Sequence, residues 1–252
     1  MAKMPFDDYR KELEFQRAVW ERKEVLRLLY RHWYAQAVAL FCPLRPVAEI
    51  GSGCGNFKEY YPACISTDIF PSGPWIDRVM DAGRLDFAAG SVGNLAAFDV
   101  LHHLQRPLDF LRQAAAVLQP GGRLILCEPA VTPWSRLVYG PHHEPIDTAW
   151  PLFELDGQPA QPDEGHKFAN MASAEILFWK QAELTFQRVP GLRLALRRKF
   201  GFLLYPLTGG FSYRCFVPRL GFSALLRLED ALLRPFGALT GLRMFVVLEK
   251  ES

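Results

Sequence analysis

Residues 47–57 read VAEIGSGCGNF: a short apolar run, then glycines at 51, 53 and 55. Glycine takes positive φ and lets a ligand approach the main chain with no Cβ in between. The pattern predicts a strand that ends in a loop against a nucleotide-like group, at the carboxyl end of a parallel sheet. A glycine turn that only joins strand to helix satisfies the same residues, and the triplet alone leaves the two readings about even.

The neighbouring runs decide the class of sheet. PVAEIG, ACISTDI, WIDRVMDA, NLAAFDVL and GRLILCEP are short and apolar, as buried parallel strands are, and RPLDFLRQAAAVLQPGG between the last two reads as a helix opened near Pro107 and closed by Gly121 and Gly122. Before them, residues 7–41 place Leu26, Leu28, Leu29, Trp33 and Ala37 at helical spacing, in one or two amphipathic helices. After them, KQAELTFQRV reads as a helix, LRLALRRKF and LRMFVVLEK as strands, and RCFVPRLGFSALLRLEDALLRPFGAL as helical cover. Residues 129–166 hold seven prolines and no sustained period, which suggests an insertion on the substrate side. The organisation expected is a helical cap over 1–42 and a main domain over 43–252, with an insertion at 129–168 and a lid-like segment at about 200–241.

Composition narrows the setting. With 252 residues, half of them hydrophobic, the chain can bury a full core. It has no 18-residue uncharged apolar run, and MAKMPFDDYRKELEFQR carries charges where a leader would be apolar, which places it in the cytoplasm. The five cysteines are scattered and form no CxxC or Cys/His ligand spacing, so reduced thiols are expected and structural zinc is not. The net charge is +2, but residues 186–252 hold 11 Lys/Arg against 4 Asp/Glu. That basic, Leu-rich quarter has two readings, a lid on the sheet or a surface meeting anionic lipid as a peripheral membrane contact. Pro206, Pro218 and Pro235 interrupt its apolar runs and favour the lid.

A dinucleotide fold competes for the glycine loop. Its G-x-G-x-x-G fingerprint needs glycine or alanine at 56, where Asn56 stands, and NFKEYYPA is too short for the pyrophosphate-binding helix. No diphosphate is implied, and a nicotinamide oxidoreductase is the weakest reading carried forward.

The region from Val47 to Pro129 resembles the class I S-adenosylmethionine-dependent methyltransferases, in particular the type 11-like, small-molecule branch, because several motifs match in order. EIGSGCG resembles the family's loop at the methionine and ribose of S-adenosylmethionine, which implicates Glu49, Gly51, Ser52, Gly53 and Gly55. STDIF resembles the end of the second strand, so Asp68, followed by Ile69, is implied at the ribose hydroxyls, where a carboxylate accepts two charge-assisted bonds. MDAGRLDF implies Asp81 at the adenine amino group and Ala82 offering its N–H; FDVLHHL and LQPGGRLILCEP resemble the fourth strand and the turn into the fifth. Asp99 then reads as a group near the donor or as a buried polar anchor. Two positions depart from the family: Gly93 replaces a common acidic residue, and Asp86 replaces a proline. The resemblance implies a Rossmann-like α/β fold, a mostly parallel seven-stranded sheet ending in an antiparallel edge.

Methyl transfer from a sulfonium donor needs in-line alignment and exclusion of water, and a general base only when the acceptor must shed a proton. A neutral histidine suits that task. His102, His142 and His143 are the candidate bases; His103, Glu128, Trp134, Tyr139 and Glu144 are candidate acceptor contacts. Structural packing is the commoner role for any one of the histidines, and Glu128 either orients the acceptor or caps a helix. HHEP at 142–145 is expected to fold back over the pocket. Adjacent histidines do not easily chelate one ion from a single turn, so no metal is expected. Trp134, Tyr139, Trp150, Phe153, Phe178 and Trp179 line an apolar acceptor pocket or belong to ordinary core. No base-flipping or basic-aromatic platform is visible, so nucleic acid is not an expected partner. The expected function is methyl transfer to an oxygen, nitrogen or carbon of a hydrophobic small molecule or lipid-like metabolite. The alternative is an inactive S-adenosylmethionine-binding partner or regulatory protein. The oligomeric state is not legible.

Overall fold

A computed structural model describes residues 6–140, 144–158 and 168–251. Its helices are α1 (Phe6–Arg22), α2 (Glu24–Val38), α3 (Asn56–Tyr60), α4 (Pro107–Val117), α5 (Pro133–Tyr139), α6 (Ser173–Glu175), α7 (Ala182–Arg188), α8 (Leu204–Thr208), α9 (Phe222–Leu233) and α10 (Gly237–Thr240). The strands are β1 (Val47–Ile50), β2 (Ile65–Asp68), β3 (Arg78–Val79), β4 (Val92–Phe98), β5 (Leu118–Pro129), β6 (Leu192–Phe200) and β7 (Arg243–Lys250). They form one sheet in the order β3-β2-β1-β4-β5-β7-β6.

β1 to β5 run parallel, and β7 enters antiparallel between β5 and β6. The antiparallel strand is therefore one in from the edge, and the edge strand β6 runs with the rest, which corrects the expected antiparallel edge. Burial explains the sequence patterns. β1, β4 and β7 are covered on both faces and read as continuous apolar runs, whereas the outer strand β6 alternates buried and exposed positions. Along β5, Leu124 and Leu126 pack with α4 on one face, while Ile125 and Cys127 pack with Leu26, Leu29 and Trp33 of α2 and Phe222 and Leu226 of α9 on the other.

Two local expectations change. α4 ends at Val117, before the two glycines, and Gly121 (φ +75°) turns the chain inside the β5 span. The Pro-rich insertion contains α5, opened by a capping box in which the Thr132 hydroxyl accepts the Ser135 N–H and the Ser135 hydroxyl accepts the Thr132 N–H. The departure at Gly93 has a steric reason: the residue lies in β4, where a Cβ would stand 2.3 Å from the Leu44 carbonyl carbon. The side chain of Asn94 next to it accepts the Cys42 N–H and donates to the Cys42 and Leu44 carbonyls.

Within residues 200–241, α9 leans on α2 through His32 Nε2 and Asp230 Oδ2, 2.7 Å apart. Its outer face leaves Leu225, Leu228 and Leu232 exposed. Among the described residues no helix is long and apolar enough to cross a membrane.

Candidate active site

The glycine loop is held from three sides. The Ser52 N–H donates to the Thr67 carbonyl (2.8 Å) and the Trp75 indole to the Gly53 carbonyl (2.9 Å). α1 covers the outside, where Leu13 faces Gly53 and the Arg17 guanidinium donates to the Cys54 carbonyl (3.3 Å). All three glycines have positive φ, but their roles differ. A Cβ on Gly51 would stand 2.5 Å from Val100 Cγ2 and one on Gly55 2.5 Å from the Trp75 ring, so those two serve packing. At Gly53 the nearest atom is Leu13 Cδ2, 3.7 Å away, which leaves room for a ligand to meet the main chain there.

Asp68 ends β2, is 2% exposed and faces this loop. Its Oδ2 accepts the Gly53 N–H (2.8 Å), its Oδ1 the Phe70 N–H (3.1 Å), and the Tyr9 hydroxyl lies 3.4 Å from both oxygens. Burial raises its carboxyl, while these donors oppose the rise. Glu49 is buried under the loop, accepts the Ser52 hydroxyl (2.7 Å), and is pushed by burial up to about 8, so it is neutral at pH 7. Glu49, Gly51, Ser52, Gly53, Gly55, Asp68 and half-open Ile69 thus lie together around the loop. Asp81 stands exposed after β3, its Oδ1 accepting the Gly83 N–H (2.7 Å), with Ala82 buried beside it.

Asp99 goes elsewhere. It leaves β4 with φ 57°, strained for a non-glycine residue, and its carboxylate forms a bidentate pair with Arg243 at the start of β7 (2.6 and 2.8 Å). Burial works against its ionisation, but the guanidinium holds the carboxyl below its usual range. Asp99 thus anchors β7 through Arg243 and makes no side-chain bond to the glycine loop among the described residues.

The turn after β4, Leu101–His103, is gripped by Glu128, which is fully buried near the end of β5. Glu128 Oε1 accepts the Val100 and Leu101 N–H groups (3.0 and 2.9 Å), and Oε2 lies 2.6 Å from His102 Nδ1. On the far side of the ring, His102 Nε2 is 3.2 Å from Glu144 Oε2. Burial lowers the imidazole, but Glu128 and then Glu144 override it and carry it up to about 10. His102 therefore keeps its proton at neutral pH, which corrects the reading of it as a neutral base. His103 Nε2 lies 3.8 Å from Glu144 Oε1. His142 and His143 lie outside the described residues.

These groups border a cavity of about 500 Å³, lined by His102, Glu144, the Asp99–Arg243 pair, Tyr139, Met171 and Tyr205. Asp99, which lines the cavity, is followed directly by Val100, the side chain that a Cβ on Gly51 would meet. The expected aromatic lining is mostly core. Trp134 donates its indole N–H to the Phe202 carbonyl (3.0 Å) and packs on Phe202; Phe153 and Phe178 are buried, and Trp150 and Trp179 pack against the same core. Tyr139 alone of the six borders the cavity, its hydroxyl donating to the Leu242 carbonyl (3.0 Å).

Sequence reasoning passed over Arg243, Tyr9, Trp75 and Asn170. Buried Asn170 donates its N–H to the His102 carbonyl (2.8 Å), while its side chain accepts the Asp147 and Ala172 N–H groups and donates to the Asp147 carbonyl. It fastens the insertion to the turn. Only α1 carried a signal, since Tyr9, Leu13 and Trp20 form a stripe at helical spacing on an otherwise charged helix.

Residues 49–126 match the family described as methyltransferase domain. No curated protein matches the chain. Among solved structures, it is similar to an S-adenosylmethionine-dependent methyltransferase from Archaeoglobus fulgidus, at 15% identity and TM-score 0.53 over 89% of this chain and 94% of that one. A complex between the Haloferax volcanii Trm112 methyltransferase activator and a methyltransferase matches at 14% identity and TM-score 0.52, over 100% of both chains. Geranyl diphosphate C-methyltransferase from Streptomyces coelicolor, in complex with Mg2+, geranyl diphosphate and S-adenosyl-L-homocysteine, matches at 12% identity and TM-score 0.50, over 88% of this chain and 78% of that one. At such identities the shared property is the fold. Residues 49–126 thus match a methyltransferase domain, and the chain has the fold of the class I S-adenosylmethionine-dependent methyltransferases.

Proposed function

We propose that this chain transfers the methyl group of S-adenosylmethionine to the polar end of a hydrophobic small molecule or lipid-like metabolite. The observation that carries the reading is the end of β4, where Val100 packs at Gly51 of the glycine loop and the preceding Asp99 lines a cavity with charged groups on part of its wall and Tyr139, Met171 and Tyr205 on the rest. Open space at Gly53 and the inward-facing carboxylate of Asp68 fit the cofactor's ribose and methionine, and Asp81 with the Ala82 N–H suits the adenine. When bound, the cofactor supplies a methyl group already activated on a sulfonium.

The chain's own residues then have to align an acceptor atom and keep water out. His102, held as an imidazolium between Glu128 and Glu144, orients an acceptor oxygen or holds its negative charge; it does not remove its proton. Support for an apolar acceptor body comes from the cavity's aromatic and thioether wall, and from exposed Leu203, Phe216 and Leu220 in the segment that also supplies Tyr205.

The test is transfer of radiolabelled methyl from S-adenosylmethionine to a fractionated extract of hydrophobic metabolites. The reading expects label in an organic-soluble product together with S-adenosylhomocysteine. Label confined to water-soluble products would refute the hydrophobic acceptor.

A further inference from the structure

We propose that His102, His103 and Glu144 form a binding site for one divalent first-row cation of the zinc class, facing the cavity. The short turn Leu101–His103 lays the two imidazoles 4.1 Å apart, so neighbours in sequence become neighbours in space. Both Nε2 atoms approach the same carboxylate: His102 Nε2 is 3.2 Å from Glu144 Oε2, and His103 Nε2 is 3.8 Å from Glu144 Oε1. One donor atom from each of the three lies within 4.8 Å of the others. Bonds of about 2.0–2.2 Å in tetrahedral geometry put donor atoms roughly 3.3–3.6 Å apart, so His102 Nε2 and Glu144 Oε2 already stand near that spacing, and the remaining donor pairs, within 4.8 Å, close by a side-chain shift of about 1.5 Å at most.

The opposite ring nitrogens give an independent sign. Metal-binding histidines commonly give their other N–H to a carboxylate or a main-chain carbonyl, which fixes the tautomer and aims the free lone pair. Both rings have such a partner. His102 Nδ1 is 2.6 Å from fully buried Glu128, and His103 Nδ1 is 3.4 Å from the Phe168 carbonyl. Each arrangement leaves Nε2 as the ligand atom, on the side where Glu144 stands.

Charge agrees with geometry. With neutral imidazoles, Asp99, Glu128 and Glu144 against Arg243 leave a formal charge of −2, which one divalent cation cancels. The cation replaces the proton that His102 Nε2 otherwise shares with Glu144. Two imidazoles and one carboxylate suit zinc or its neighbours rather than magnesium or calcium, and they leave at least one coordination position toward the cavity. A role there in polarising an acceptor oxygen rests on the methyl-transfer reading; the binding does not.

The experiment uses the whole chain, stripped by a chelator and titrated with Co2+, followed by its d–d absorption, and with Zn2+, followed by calorimetry. One equivalent should bind. His103→Ala and Glu144→Ala should each weaken it by more than the roughly 10–100-fold that loss of a supporting group costs. Both side chains are more than 40% exposed, so neither substitution removes core. Absence of a stoichiometric site overturns the proposal, and so does wild-type affinity in both variants. S-adenosylmethionine binding on the same samples reports on the methyl-transfer reading and fails or succeeds separately.

Discussion

The Tyr9 hydroxyl of α1 lies 3.4 Å from both carboxylate oxygens of Asp68, the residue that β2 presents to the glycine loop. If Asp68 takes the ribose hydroxyls as proposed, Tyr9 competes with them for that carboxylate, and α1 must yield it when cofactor enters. Tyr9→Phe removes the competing donor and keeps the ring on Phe70, 4.8 Å away. We expect S-adenosylmethionine to bind a few-fold tighter, in line with a hydrogen bond worth about 1 kcal/mol. Weaker binding by calorimetry would mean that Tyr9 contacts the cofactor instead.

Glu49 predicts a pH dependence of stability. Its folded pKa is raised from 4.5 to about 8, so between those values the unfolded chain releases a proton that the folded chain keeps. Its contribution is therefore intact below about pH 4.5 and declines as pH rises toward 8, by up to about 1.4 kcal/mol per pH unit. Glu49→Gln keeps an acceptor for Ser52 and should flatten that slope in denaturant titrations from pH 5 to 8. An unchanged slope would place the titrating group elsewhere.

The glycines should separate by substitution. Gly53→Ala and Gly51→Ala both put a side chain at positive φ, at a cost of about 1–2 kcal/mol. Gly51→Ala also drives a Cβ to 2.5 Å from branched Val100, so its thermal midpoint should fall further. Gly53→Ala should stay folded and lose cofactor affinity. Equal melting of the two variants would contradict the division.

Arg243→Met leaves half-buried Asp99 without its partner. Because the Asp99 side chain is 33% exposed, a loss of about 1–3 kcal/mol is expected, less than for a fully buried ion pair. Changing Asp99→Asn in that background should restore part of it, since Asn tolerates the left-handed backbone and carries no charge. No restoration in the double variant would show that the pair does not act as a unit.

What the sequence made legible follows the range of each signal. The glycine loop, Asp68 and the strands are local patterns, and β1, β2, β4, β5, β6 and β7 fall where short apolar runs and alternation put them. Pairings between distant residues leave no such trace. Asp99 and Arg243 are 144 positions apart, and His102 and Glu128 are 26 apart. His102 and Glu128 both stood out as candidates, yet only the register of β4 beside β5 reveals that one holds the other. The same blindness made Trp134 look like a substrate contact when its indole closes a structural bond to Phe202. Adjacent histidines read as a poor chelate from a strand or a turn, and only the geometry of this turn shows the two rings 4.1 Å apart and facing one carboxylate.

Calorimetry of the wild-type chain and Asp68→Ala against S-adenosylmethionine, with NAD as control, tests the central claim most directly. The account predicts that the wild type binds S-adenosylmethionine and ignores NAD. It predicts that Asp68→Ala, still folded, binds about 1.5–3 kcal/mol more weakly, the usual loss of a hydrogen bond to a charged group. Binding of NAD alone, or undiminished S-adenosylmethionine affinity in the variant, would contradict it.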